Sequence, residues 1–160
     1  MDEISRSGVG LCHCAALRRA SRRISQFYDD KLAPTGLRVS QYGILAMLHE
    51  YRDLSVNELA RHMALDRTTM GKNLRPLQRD GLIRVAPSAS DGRSRAIALT
   101  AEGFAALRAA APLWREAQRE FEESNGQEET TALRATLAGL RIGAEANRLD
   151  RQTPPAEATP

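Results

Sequence analysis

A chain of 160 residues, 42% hydrophobic and 27% charged, suffices for one domain with a core, and its 4% aromatic content beside abundant alanine and leucine disfavours a sandwich or barrel. No apolar run approaches the ~18 residues of a membrane span, and the N-terminus lacks the basic and apolar pattern of a secretory leader, so a cytoplasmic protein with no membrane partner is expected. The formal charge of +3 is unevenly spread, at +4 from Ser55 to Thr100 and −3 from there to the end, as expected where one segment faces phosphate.

Taken in chain order, residues 1–8 are polar, and apolar positions Leu17, Ala20, Ile24, Phe27, Tyr28 and Leu32 then recur at three and four, predicting a helix from Val9 to about Leu32. Pro34 and Gly36 punctuate the chain. Ser40 reads as the N-cap of a second helix that ends near Glu50, with Ile44, Leu45 and Leu48 facing inward. Ser55 and Glu58 spell a capping box for a third helix with Val56, Leu59, Ala60 and Met63 as its stripe. After a short connection, Asp66 is placed to cap a fourth helix from Arg67 to about Asp80, closed by Gly81. Met70, Leu74 and Leu77 would face inward, leaving Arg67, Thr68, Thr69, Lys72, Asn73 and Arg79 on outward or flanking faces. Pro76 falls inside this helix, where proline costs about 3 kcal/mol, so a kink or a division into two segments is expected there.

Beyond Gly81 the hydrophobic period changes from 3.6 to 2. Ile83 and Val85, then Ile97 and Leu99, predict two strands around the turn-rich stretch APSASDGRSR, with Asp91-Gly92 as the hairpin signal and Arg93 and Arg95 beside it. Thr100 is read as the cap of a long helix to about Ser124, with Phe104, Leu107, Ala111, Trp114, Gln118 and Phe121 as a lengthwise seam. A last helix is expected from Gln127 to about Leu149, carrying Leu133, Leu137, Leu140 and Ala144, before a proline-rich, disordered tail.

Helix, tight connection, helix and hairpin together make a winged helix-turn-helix, in which the second helix enters a major groove ~12 Å wide and the hairpin reaches phosphate or minor groove. The fold class expected is mainly α with a small β-hairpin wing. The stretch LSVNELARHMALDRTTMGKNLRPLQRDGLIRVAPSASDGRSRAIALTAEG resembles the MarR family of bacterial regulators, most specifically in DGLI, DGRSR and LTAEG. That resemblance runs from about Leu11 to Leu140. It implies a homodimer held by the first and last two helices, binding a palindromic operator in double-stranded DNA and usually repressing. The chain would then divide into a dimerisation helix (1–36), the winged unit (37–100), dimerisation helices (101–149) and the tail (150–160). Carried over residue by residue, Arg67, Thr68, Thr69, Lys72 and Asn73 would face the major groove, and Arg93 would be the wing arginine, oriented by Asp91. The alternative roles are helix capping for Thr68 or Thr69, and a surface ion pair with Asp80 for Arg79.

Cys12 and Cys14 lie at the start of the first helix, in LCHCAALRRASRR. On a helix they would stand about 200° apart, unable to pair with each other easily or share a metal. Burial at a dimer interface is the plain reading. A second resemblance, to the first helix of organic-hydroperoxide-sensing members of the family, puts Cys14 on the reactive cysteine and Tyr28 on one of its tyrosine partners. Arg18 stands where a second tyrosine would be. A small aromatic effector, as in many relatives, would instead sit between the first, second and fifth helices, lined by Tyr28, Tyr42, Met47 and Trp114. His13, His49 and His62 show no metal-ligand spacing, and no cofactor is expected. No phosphate loop, nucleophile elbow or acid–base cluster suggests an enzyme. A helical protein-interaction module with an incidental basic face is the remaining alternative.

Overall fold

The structure, a computed structural model, describes residues 11–52, 54–87 and 95–141. Among these, the elements in order are α1 (His13–Leu32), a 3-10 turn (Ala33–Thr35), α2 (Val39–Tyr51), α3 (Val56–His62), α4 (Arg67–Arg79), β1 (Ile83–Pro87), β2 (Arg95–Leu99), α5 (Ala101–Asn125) and α6 (Gln127–Ala138). The fold is mainly α with a two-stranded antiparallel hairpin in which Ile83 faces Leu99 and Pro87 faces Arg95. None of the described helices is long and apolar enough to cross a membrane.

The core gathers the inward faces of the central elements. Ile44, Leu45 and Leu48 of α2, Leu59 and Ala60 of α3, Met70, Leu74 and Leu77 of α4, Ile83 and Ile97 of the hairpin, and Leu107 and Ala110 of α5 form one cluster, at burial worth ~1.5–3 kcal/mol for each large side chain. Ile97 N–H donates to the Leu54 carbonyl at 2.8 Å, tying the α2–α3 linker to the hairpin as a short third rung. Thr100 fixes the other end: its hydroxyl donates to the Gly81 carbonyl (2.6 Å) and accepts from Gly103 N–H (3.0 Å). Gly103 has to be glycine, because a Cβ there would lie 1.9 Å from the Leu82 carbonyl oxygen.

Several expectations are corrected. α2 begins at Val39, with Ser40 inside it, because its free N-terminal N–H is taken by a side chain of another helix: Asp29 Oδ1 of α1 accepts from Val39 N–H at 2.7 Å. α6 stops at Ala138, where Gly139, a poor helix former, closes the last turn, instead of running on to Leu149. α4 is one unbroken helix through Pro76, so the two-segment reading falls; the Lys72 carbonyl that loses its donor lies on the exposed side. On α5 the face buried within the single chain is Gly103, Leu107, Ala110 and Ala117; Phe104, expected in a seam between two chains, is 44% exposed in one chain, which does not test that place. Cys12 is the N-cap residue of α1 with extended backbone (φ −71°, ψ 110°), so the angular separation computed for two helical residues does not keep the thiols apart.

Candidate nucleic-acid interface

Two capped helices and a tight turn build the frame of the candidate interface from local chemistry. At α3, Ser55 Oγ accepts from Glu58 N–H (3.2 Å) while Glu58 Oε2 accepts from Ser55 N–H (2.8 Å). Those Ser55 hydrogen bonds hold the Glu58 carboxyl below the usual carboxylate range. The turn runs through Ala64 in the left-handed region (φ 50°), and Leu65 N–H reaches back to the Ala60 carbonyl at 2.8 Å. Asp66 then caps α4 twice, accepting from Thr69 N–H (2.9 Å) and from the Thr69 hydroxyl (2.6 Å), which lowers the Asp66 pKa.

Burying Met70, Leu74 and Leu77 dictates which side of α4 is presented. At 100° per residue, Thr68, Lys72, Arg75 and Arg79 fall on the side opposite them, and all four are exposed. Arg67 is exposed on one flank, and Asn73 is half-buried on the other. The Thr69 hydroxyl is committed to Asp66, which is the capping role. Arg79 pairs with Asp80 (Nε to Oδ1, 2.9 Å), the surface ion pair considered for it. Arg75 was missed by sequence reasoning, although its spacing from Thr68 and Lys72 (seven and three residues) was enough to find it. On the hairpin, Arg95 opens β2 opposite Pro87, whereas Asp91 and Arg93 lie outside the described residues.

The four residues suggested for an effector lie on α1, α2 and α5, which pack against one another. Tyr42 and Trp114 stack (5.5 Å between centroids, 19° between planes), Tyr28 is buried with its hydroxyl donating to Gln118 of α5, and Met47 packs half-buried on the core. Tyr42 does border a groove of about 650 Å³ between α2 and α5, with His49, Arg52, Phe104 and Arg108. Burial raises the pKa of both Tyr28 and Tyr42, so both are neutral hydrogen-bonding groups at pH 7. Cys12 and Cys14 are exposed free thiols. Tyr28 lies fourteen residues from Cys14 on the same helix, about 21 Å along its axis, so a thiol–tyrosine contact requires a second chain. No group of three or more His, Cys, Asp or Glu able to hold a metal occurs among the described residues.

A model of the MarR family matches residues 35–94. The DNA-bound crystal structure of the Mycobacterium tuberculosis transcriptional regulator MosR is 42% identical, with a TM-score of 0.74, and the match covers 86% of this chain and 98% of that one. The transcriptional repressor CouR, solved on a 23-mer DNA duplex and also with p-coumaroyl-CoA, is similar in fold (27% identity and TM-score 0.72 for the DNA-bound form, covering 82% of this chain and 94% of that one). The organic hydroperoxide resistance transcriptional regulator of Bacillus subtilis is 31% identical over 90 residues, 56% of this chain and 61% of that one. The chain spans about half to three fifths of the length of the curated relatives it matches. These relatives are transcriptional regulators, not enzymes. With its caps, turn, hairpin and helical frame all in the arrangement of these proteins, the chain belongs to the MarR family.

Proposed function

We propose that this chain is a cytoplasmic transcription regulator that binds a palindromic operator as a homodimer and represses until a small-molecule or oxidant signal releases it. The observation that carries the reading is α4 itself. One side is locked into the core by Met70, Leu74 and Leu77, and the other presents Thr68, Lys72, Arg75 and Arg79 with no acidic residue in the helix. A helix so mounted offers cations and hydrogen-bond donors to a major groove, Lys72 suiting guanine or phosphate and Asn73 suiting adenine from the flank. Arg67 and Thr68 would touch the strand at the helix start, with Arg93, Arg95 and Asp91 on the wing as a second grip. The DNA complexes of MosR and CouR support the same use of the fold. A gel-shift titration tests it: affinity for duplex should fall on the order of 10³-fold between ~50 and ~200 mM salt. Retention of no duplex at the lower salt refutes the reading and leaves a helical interaction module.

For the signal, the exposed thiols at the start of α1 favour oxidation, in keeping with the hydroperoxide regulator among the relatives. The Cys14 thiolate would attack a hydroperoxide, taking one oxygen as sulfenic acid and releasing an alcohol. Condensation with a second thiol would then give a disulfide and water. Cys14→Ser should bind DNA normally yet no longer be released by an organic hydroperoxide, and Cys12→Ser reports whether Cys12 is that second thiol. Unchanged release in Cys14→Ser refutes this sensor and leaves the α2–α5 groove, with p-coumaroyl-CoA-bound CouR as its precedent for small ligands.

A further inference from the structure

Gly71 stands in the middle of α4, and none of the described residues gives it a reason to be glycine. Gly36, Gly81 and Gly126 take positive φ, Gly103 abuts the Leu82 carbonyl, Gly139 closes α6, and Gly43 rests against the Met63 methyl. Gly71 has no positive φ, and a Cβ built there meets nothing within 4 Å. Glycine is one of the poorest helix formers, and alanine would fit the chain better at this position. Among the described residues nothing in the chain excludes a side chain at this position, so the reason for glycine is sought in a binding partner.

The surroundings say what that is. On the helix surface Gly71 is bordered by Arg67 four residues before it, Thr68 three before it and Arg75 four after it, all exposed. The two arginines stand one turn to either side, each about 6 Å along the axis, leaving a bare strip of backbone between two guanidinium groups. A polyanionic strand is the surface that gains from both the cations and the clearance.

We infer that Gly71 is the clearance point at which the sugar–phosphate backbone of a DNA strand meets α4, with Arg67 and Arg75 holding phosphates on either side. This rests on the DNA-binding reading proposed above. It makes Arg75 a DNA contact and makes the missing side chain at position 71 a requirement of binding, at the expense of folding.

The test uses the full chain and duplexes that the wild-type protein selects from a random-sequence pool. Gly71→Ala should melt at the same or a higher temperature while its Kd for those duplexes rises at least tenfold, and Gly71→Leu should bind more weakly still. Arg75→Gln should lower the slope of log K against log salt by about one, as loss of one phosphate contact requires. Gly71→Ala that binds as tightly as wild type overturns the inference, as does an unchanged salt slope in Arg75→Gln. If wild type selects no duplex even at low salt, the DNA-binding reading itself fails, before any variant is made.

Discussion

Thr100 sits where the wing ends and α5 begins, and its hydroxyl works in two directions at once. It accepts from Gly103 N–H as an N-cap, and it donates to the Gly81 carbonyl nineteen residues earlier, at the end of α4's capping turn. The first bond was legible in the sequence as Thr followed by a helical stripe; the second was not, because nothing local marks a partner at that distance. Thr100→Ala removes both bonds and should cost about 1–2 kcal/mol, read as a lower urea midpoint with an unchanged m-value, whereas Thr100→Ser should stay near wild type. An alanine variant as stable as wild type would mean that water replaces both bonds. Thr69, by contrast, has a local partner: its hydroxyl donates to the Asp66 carboxylate three residues earlier at 2.6 Å.

At the scale of elements, the sequence was readable wherever a helix is started and stopped by its own residues. Ser55 with Glu58, Asp66 and Thr100 all cap the helices they precede, and the change of period after Gly81 marks the hairpin. It was unreadable where another element supplies the cap, as Asp29 does for α2 across a ten-residue separation. Proline misled in a different way. Pro76 costs one intrahelical bond, but Asp80 N–H still reaches the Pro76 carbonyl at 2.9 Å, and packing of Leu74 and Leu77 on either side keeps the helix continuous. Pro112 likewise lies within α5 without ending it. Tertiary burial decides such cases, and a propensity scale does not contain it. Of the candidate interface, periodicity gave Arg67, Thr68, Lys72 and Arg79 on the exposed side, while Arg75 was passed over. The clearance at Gly71 became visible only when the space around each glycine was known.

For the whole molecule, the question is what covers its terminal helices. α6 is a 12-residue helix whose buried residue is Thr130, while Leu133, Leu137 and Leu140 are 42 to 50% exposed, and Leu17 of α1 is 43% exposed. A helix this short is marginal on its own, and an uncovered leucine row is a surface awaiting a partner. Beside it, a groove of about 430 Å³ between α1, α5 and α6 has an apolar floor of Ile24, Phe27, Phe121 and Leu133 and polar lining from Arg23, Ser124 and Asn125. We propose a second copy of the chain as the occupant, because two-fold pairing buries the same face twice, and an operator with half-sites one helical turn apart, ~34–36 Å, calls for two reading helices at that spacing. Leu137 is 42% exposed and outside the buried core of the single chain, so Leu137→Glu should leave the chain's helical circular dichroism spectrum intact. It should nevertheless convert a sedimenting dimer to monomer at micromolar concentration and abolish tight operator binding, since each half-site then binds alone. A wild-type protein that sediments as a monomer, or a Leu137→Glu dimer as tight as wild type, would place the pairing surface elsewhere.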